Sequence, residues 1–266
     1  MQLLWKVLLY ALGGYLAICV LAFLFQRKML YLPSGGSLSV DQATENGMVH
    51  WPSTRAFVGY LCDEIPDDAK GTVVVFHGNA GAAYHRDFYA EALSRQGLRV
   101  ILAEYPGYGG RSGRPSEEAL VRDALETIRF AHREFGEPLY LWGESLGCGV
   151  VAGALKATDI PIPGVVLFTP WDSLPALAQT HYPILPARWL VRDHYDNVEN
   201  LRGYGGKVAV ILAGRDEVVP VRHGQKLYGS IAAKKKLWLF EGASHNAMPV
   251  SPELSWWNEV VAFVSQ

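Results

Sequence analysis

The chain has 266 residues, of which 50% are hydrophobic and 12% aromatic, which is enough to bury one large core. Charged residues make up 19% of the sequence, and the formal net charge is -2. This balance leaves no basic field that would gather phosphates, so the composition excludes a general nucleic-acid-binding protein. The lysine run at 234–236 precedes an apolar strand pattern and is typical of a solvated turn.

The cysteines are sparse and have no CxxC spacing. They are Cys19, Cys62 and Cys148. Such a set predicts neither a disulfide framework nor a metal site, and small buried hydrophobic side chains are the default interpretation. We therefore expect no metal and no organic cofactor.

The N-terminus carries an uncharged apolar segment over 7–25, with the sequence VLLYALGGYLAICVLAFLF. At about 1.5 Å of rise per residue, a helix of this length matches the hydrocarbon thickness of a bilayer. Lys6 precedes the segment, and Arg27 and Lys28 follow it, as is typical of a membrane anchor. We therefore expect a single transmembrane helix within 1–30 and a membrane location, which in a bacterium is the inner or plasma membrane.

A cleaved secretory signal is the alternative interpretation of this segment. It requires a shorter apolar core followed by small residues, and the sequence contains no clean AxA ending. Because the positive charges on the two flanks nearly balance, the pattern leaves open which side of the membrane the rest of the chain occupies.

The remaining chain alternates short β-branched runs with helical patterns, after a Gly- and Ser-rich linker over 31–47. The predicted strands lie at 57–62, 72–76, 99–103, 138–142, 164–168, 207–212 and 236–240. The predicted helices lie at 84–96, 116–135, 146–157, 221–231 and 252–264, and Ser116 is expected to cap the second of them. The sequence therefore predicts an α/β domain over 48–266, with a mostly parallel sheet covered by helices.

One segment, 171–204, breaks the alternation and is predicted to form a small lid over the site. It is aromatic and proline-bearing with weak periodicity. Its apolar side chains suggest a substrate with an apolar acyl group: Trp171, Tyr182, Pro183, Trp189 and Leu190.

A GxSxG pattern, formed by Gly143, Ser145 and Gly147, lies directly after an apolar strand and before a helical stretch. The pattern alone is common in a glycine-rich chain, but a strand-to-helix turn with glycines on both flanks is typical of a nucleophile elbow. We predict that Ser145 is a catalytic nucleophile. The other interpretation is a glycine-rich turn with an ordinary capping serine.

A serine hydroxyl needs a base to remove its proton and a third group to hold that base. Asp216 and His245 each follow a predicted strand, and the order Ser, Asp, His is the one found in α/β-hydrolases. Because the carboxyl ends of strands in an open α/β sheet line the site, we expect Asp216 to be the acid and His245 the base. Asp172 is the rival acid.

Other histidines are given lesser roles. His181 and His194 fall within the predicted lid, on the surface or the substrate side. His77 lies in VVFHGNAG at 74–81, where it is expected to brace a loop.

Backbone amides that face the developing oxyanion complete such a site. Leu146, which follows the nucleophile, is predicted to supply one amide. Asn79, in the loop after the 72–76 strand, is predicted to supply the second, with Ala80 as the alternative.

These motifs together resemble one branch of the α/β-hydrolases, which contains the BEM46-like and ABHD13-like proteins. The motifs are HGNAG at 77–81, AEYPGYGGRSGRPSE at 103–117, GESLG at 143–147, GRDEVVP at 214–220 and GASHN at 242–246. The stretch FQRKMLYLP at 25–33 is similar to the one with which those proteins leave their anchor. The resemblance covers nearly the whole chain.

The resemblance implies the same triad and the same oxyanion amides as the residues themselves predict. The chain departs from the family at Glu104 and Pro106, where members often carry Asp and Arg. That loop borders the site, so the departure weakens inferences about the substrate more than those about catalysis.

The sequence thus predicts a serine hydrolase that cleaves carboxylic ester or thioester bonds of lipid-like or acylated substrates through an acyl-enzyme. A small-molecule or lipid acyl ester and the lipid bilayer are the expected partners, and nucleic acid is not. Two alternatives remain: a peptidase that uses the same triad, and a membrane-tethered binding protein without catalysis.

Overall fold

A computed structural model of the protein describes residues 1–63 and 68–266. The strands are β1 (Leu32–Pro33), β2 (Met48–Trp51), β3 (Gly59–Cys62), β4 (Thr72–Phe76), β5 (Ala80–Gly81), β6 (Arg99–Ala103), β7 (Leu139–Glu144), β8 (Gly164–Phe168), β9 (Lys207–Ala213) and β10 (Lys235–Phe240). The helices are α1 (Gln2–Leu30), α2 (Val40–Glu45), α3 (Asp87–Ser94), α4 (Glu117–Phe135), α5 (Leu146–Ala157), α6 (Leu174–His181), α7 (Ala187–Leu190), α8 (Asn197–Asn200), α9 (Val221–Ser230) and α10 (Trp256–Ser265). A short 3-10 turn, Ala83–Arg86, leads into α3.

An eight-stranded sheet runs through the centre of the domain in the order β10-β9-β8-β7-β4-β6-β3-β2. β6, β4, β7, β8, β9 and β10 pair in parallel, while β2 and β3 are antiparallel to their neighbours. The predicted fold class is confirmed, because the β-branched runs form parallel strands linked by crossover helices. The strand β2 was missed, because its run MVHW has neither a β-branched core nor clean alternation.

Both faces of the sheet are buried, as expected for strands with continuous apolar runs. Along β4, Val74 and Phe76 pack with α4 and α5 on one face, while Val73 and Val75 pack with α3 and α10 on the other. The result is a three-layer α/β/α domain whose strand ends converge at one edge.

The long helix α1 is apolar along its length and has a mean hydropathy of 2.4 over its most apolar window. Within the described residues, it is the one helix long and apolar enough to cross a membrane. A signal sequence can have the same length and hydropathy.

The segment 31–47, predicted as a linker, is closely attached to the domain. β1 pairs in parallel with β5, with Leu32 opposite Ala80. α2 begins with a capping box between Ser39 and Gln42, and Ala43 on this helix is buried.

The segment predicted as a lid lies between β8 and β9 and contains α6, α7 and α8. Its aromatic side chains differ in environment. Trp171 is buried, whereas Tyr182 is 45% exposed and Trp189 is 82% exposed. Only the first of these three therefore belongs to the core beneath the lid.

The cap of α4 provides a test of local stability. Ser116 Oγ accepts a hydrogen bond from the Ala119 amide at 3.2 Å, whereas Ser255, at the same position of α10, makes no such side-chain bond. We expect Ser116→Ala to lower the free energy of unfolding by about 1 kcal/mol. Ser255→Ala is the matched control and is expected to change it by less than about 0.5 kcal/mol. Denaturant unfolding in detergent measures both, and equal losses would contradict the assignment of the cap.

Candidate active site

Ser145 occupies a sharp turn between the end of β7 and the start of α5. Its backbone has φ 50° and ψ -109°, a conformation that non-glycine residues seldom adopt. The turn is held by the Ser145 amide, which donates to the Phe168 carbonyl at 2.8 Å, and by the Cys148 amide, which donates to the Ser145 carbonyl at 3.0 Å. The sequence-predicted elbow is therefore present, with Ser145 only 6% exposed.

The two glycines that flank the elbow are required by close backbone contacts. A Cβ atom on Gly143 would lie 2.7 Å from the Cys148 amide nitrogen. A Cβ atom on Gly147 would overlap the Phe76 carbonyl and lie 3.0 Å from the His77 carbonyl. Because these neighbours are backbone atoms, they have little freedom to move aside.

The three residues predicted to form the triad come together. His245 Nε2 lies 3.1 Å from Ser145 Oγ, and His245 Nδ1 lies 2.7 Å from Asp216 Oδ2. The Val218 and Val219 amides donate to the other Asp216 oxygen at 2.9 and 2.6 Å and so fix the carboxylate. The side chains of Asp216 and His245 are 2% and 10% exposed, so this hydrogen-bonded chain is largely shielded from water.

The rival acid, Asp172, belongs to a different cluster. Its Oδ1 lies 2.7 Å from His223 Nδ1 and its Oδ2 accepts from Lys226 Nζ at 2.6 Å. His223 Nε2 in turn lies 3.0 Å from Thr180 Oγ1. Burial alone would raise the pKa of Asp172, but the Lys226 and His223 hydrogen bonds outweigh it, and the pKa lies below its ordinary value.

This second carboxylate, imidazole and hydroxyl array lacks the features of a nucleophilic site. Thr180 lies inside α6 rather than on a strained turn, and its hydroxyl is 3.2 Å from the Ala176 carbonyl as well as within hydrogen-bond distance of His223 Nε2. Because Thr180 is on the lid and His223 is on α9, the array ties the lid to the domain. Sequence reasoning missed His223, which lies in the first turn of an ordinary amphipathic helix.

The loop predicted to supply oxyanion amides lies next to the elbow. A Cβ atom on Gly78 would approach Glu144 Oε1 to 2.8 Å. The side-chain amide of Asn79 donates to the Leu30 carbonyl at 2.8 Å. The backbone carbonyl of Asn79 accepts from the Leu32 amide at 2.9 Å. Since its side chain is engaged with the end of α1, Asn79 would act through its backbone amide.

His77 braces this loop, as expected. Its Nδ1 lies 2.7 Å from the Gly78 carbonyl and its Nε2 lies 3.0 Å from Glu104 Oε1. The other Glu104 oxygen accepts from the Ala83 amide at 2.9 Å, and Glu104 is fully buried. Glu104, one of the positions at which this chain departs from the family, therefore supports the loop.

An ion pair beside Ser145 was missed from the sequence. Arg86 Nη2 lies 2.8 Å from Glu144 Oε1, and both side chains are mostly buried. Burial alone would raise the pKa of Glu144, but the Arg86 guanidinium outweighs it and holds that pKa below its ordinary value. The carboxylate next to Ser145 is therefore charged and locked in place. Its position inside GESLG was the only signal available for it.

Comparison with known proteins agrees with this architecture. Residues 67–192 match the model of a protein family described as "Serine aminopeptidase, S33". An uncharacterized protein of Mycobacterium tuberculosis is 34% identical over 236 residues, which cover 86% of this chain and 82% of that protein. The lysophosphatidylserine lipase ABHD12 of Danio rerio is 29% identical over 222 residues, which cover 76% of this chain and 58% of that relative. An esterase of Pyrococcus furiosus has a similar structure, with a TM-score of 0.66 at 18% identity, covering 88% of this chain and 97% of the esterase.

The strand order, the elbow and the matched family model define a hydrolase with the α/β-hydrolase fold. The chain belongs to the α/β-hydrolase superfamily. The narrower resemblance to the BEM46-like and ABHD13-like proteins stays a prediction. The chain spans about three fifths of the length of ABHD12.

The contact of Gly147 with β4 can be tested by adding one methyl group. We expect Gly147→Ala to lower the free energy of unfolding by about 3 kcal/mol, because the new Cβ meets backbone atoms. Gly229→Ala in α9 is the control, since its Cβ would meet no heavy atom of the described residues within 4 Å. Its stability should stay within about 1 kcal/mol of wild type. Denaturant unfolding measures both, and a stable Gly147→Ala variant would contradict the packing described.

Proposed function

We propose that the protein is a membrane-anchored serine hydrolase that cleaves acyl esters of lipid-like substrates through an acyl-enzyme. The observation that carries the proposal is the hydrogen-bonded chain from Ser145 through His245 to Asp216, placed on a strained elbow. Ion-pair networks are also found at structural sites, but a serine with this backbone at a helix start is typical of a nucleophile.

In this mechanism His245 Nε2 accepts the Ser145 proton as Oγ attacks the acyl carbonyl. The Asp216 carboxylate accepts a hydrogen bond from the imidazole Nδ1–H, which fixes the tautomer and stabilises the imidazolium that forms. The imidazolium then protonates the leaving alcohol, and the same residue activates the water that hydrolyses the acyl-enzyme.

The tetrahedral intermediate carries negative charge on the former carbonyl oxygen. The Leu146 amide lies at the first position of α5, where unpaired amides and the helix dipole favour an anion. The Asn79 backbone amide is the second proposed donor, because the loop that holds it lies against the elbow. Each such donor is worth about 3 kcal/mol in related chemistry.

A lipid-like ester is the substrate class best supported. ABHD12 bears the name lysophosphatidylserine lipase, and its similarity covers 76% of this chain. The lid presents exposed apolar side chains, and α1 would hold the site at a membrane surface. Thioesters share the acyl-enzyme chemistry and are part of the proposal.

Retention of α1 is supported by its contacts with the domain. The Arg27 guanidinium donates to both oxygens of Asp193, at 2.8 and 2.7 Å, and Asp193 is buried. The Gln26 side chain donates to the Leu190 carbonyl at 3.0 Å. Cleavage on the C-terminal side of Arg27 would remove the cation that pairs with this buried carboxylate, which is costly.

The identity of the acid is tested by two matched variants. We expect Asp216→Asn to reduce kcat by about 10⁴-fold, because the imidazole loses its tautomer control. Asp172→Asn should change kcat by less than about tenfold, since its partner His223 does not contact Ser145. Hydrolysis of a p-nitrophenyl ester in detergent measures both. The opposite order of effects would make Asp172 the acid.

The nucleophile is tested by labelling the detergent-solubilised protein with a fluorophosphonate probe. Wild type should be labelled, while Ser145→Ala should be unlabelled and retain its unfolding transition. His245→Ala should reduce ester hydrolysis by about 10⁴-fold or more. Folded wild-type protein that resists the probe would favour the non-catalytic binding protein instead.

The substrate class is tested on wild-type protein that has not been exposed to the probe, with p-nitrophenyl esters from acetate to palmitate, acyl thioesters and aminoacyl p-nitroanilides. A preference for long acyl chains is expected. Turnover of the anilides alone would favour the peptidase.

A further inference from the structure

The lid is in contact with the apolar part of α1 as well as with its polar end. The Tyr15 hydroxyl donates to the Ile184 carbonyl at 3.0 Å. Tyr15 lies in the middle of the 7–25 apolar segment, ten residues before Phe25. At the rise of an α-helix, this contact is about 15 Å from the end of the segment. The lid tip, residues 182–189, therefore lies beside a stretch of α1 that is suited to the hydrocarbon core of a bilayer.

The surface of the lid tip matches that environment. Ile184 and Trp189 are each 82% exposed, and Tyr182 is 45% exposed. Single exposed apolar residues are ordinary, but these three lie together on the lid that contacts α1. The Tyr15 contact places this surface beside α1, most of whose apolar side chains are exposed.

The backbone of the tip is suited to an environment without water. The Leu185 backbone amide donates to the Tyr182 carbonyl at 3.1 Å, and the Gln179 side-chain nitrogen, which carries two hydrogens, lies 2.9 and 3.4 Å from the Leu185 and Pro183 carbonyls. The Ile184 carbonyl is the one that accepts from Tyr15. Each carbonyl from 182 to 185 thus has a donor within the protein, as non-helical backbone requires at membrane depth.

Charged side chains lie at the base of the tip. Arg192 and Lys28 are exposed at the base, Arg188 is an exposed basic side chain within the tip itself, and the Arg192 guanidinium lies 5.6 Å from the centroid of the Phe23 ring. Long basic side chains reach toward headgroups while their stems remain in apolar surroundings. This arrangement places a basic band where the apolar surface ends.

We propose that the lid tip, 182–189, inserts into the leaflet beside α1, with lipid acyl chains as its partner. The site would then receive its substrate laterally from that leaflet rather than from water. His181 Nε2 lies 2.7 Å from the carbonyl of Val218, whose amide binds Asp216, so the inserted lid is joined to the acid loop. This inference rests on the proposed membrane anchoring of α1. It depends on the proposed hydrolase activity only in the second experiment below.

A depth measurement tests insertion without reference to activity. Single cysteines are placed at Ile18, Ile184 or Val49 in a Cys19→Ala background and are labelled with the fluorophore NBD. The native Cys62 and Cys148 are buried and are therefore shielded from the label. The protein is reconstituted in phosphatidylcholine vesicles that carry nitroxides on the acyl chains. Labels at Ile18 and Ile184 should be quenched severalfold more than the label at Val49, an exposed position on the edge strand β2.

The outcomes separate the two proposals. Quenching at Ile18 but not at Ile184 would overturn lid insertion and leave the anchor intact. Equal, weak quenching at all three positions would overturn the anchor and lid insertion together.

A second experiment measures activity with Ile184→Asp, which alters an exposed side chain away from the triad. Hydrolysis of a long-chain ester in vesicles should lose about tenfold or more in kcat/KM, since apolar burial in lipid is lost. Hydrolysis of p-nitrophenyl acetate in solution and fluorophosphonate labelling should stay unchanged. Equal losses on both substrates would contradict insertion, and the absence of any wild-type activity would contradict the hydrolase rather than the lid.

Discussion

The close approach of α5 to the end of β4 is the contact on which the site depends. Gly147 lies against the Phe76 and His77 carbonyls, at a distance that a side chain would forbid. This contact lets the helix start directly after the strand, and it brings the 77–79 loop beside the elbow. The elbow is pinned from the other side, where the Phe168 carbonyl of β8 accepts from the Ser145 amide. Backbone strain at Ser145 persists because packing on both sides fixes the turn.

The N-terminal helix is part of the same structure rather than a separate tether. Its last turn binds the lid through Arg27 and Asp193, and its final carbonyl accepts from the Asn79 side chain. Buried below these contacts, the Tyr31 and Tyr195 hydroxyls lie 3.0 Å apart. The apolar helix α1, the lid and the loop beside Ser145 are therefore joined by direct contacts, and a displacement of α1 would be transmitted to the site.

The described residues contain two carboxylate, imidazole and hydroxyl arrays, and their chemical types are nearly the same. They differ in the backbone conformation of the residue that carries the hydroxyl. Ser145 stands at a helix start on a strained turn, while Thr180 lies inside a helix with its hydroxyl close to both His223 and the Ala176 carbonyl. The array with Asp172 also holds a lysine that neutralises the carboxylate. Similar residue types thus serve the proposed catalysis in one place and the attachment of the lid in another.

The sequence alone determined the fold class, most strand positions and the order Ser145, Asp216, His245, because β-branched runs and glycine-flanked turns act locally on the backbone. It also singled out Asn79 and Leu146 as amide donors, and that role remains a prediction. Only the tertiary structure decided that Asp172 pairs with His223 rather than His245, that Arg86 reaches Glu144, and that the lid touches Tyr15. These partners are 51, 58 and 169 residues apart in the chain. No local pattern encodes such pairings, because they arise only when packing of the sheet and helices brings distant side chains together.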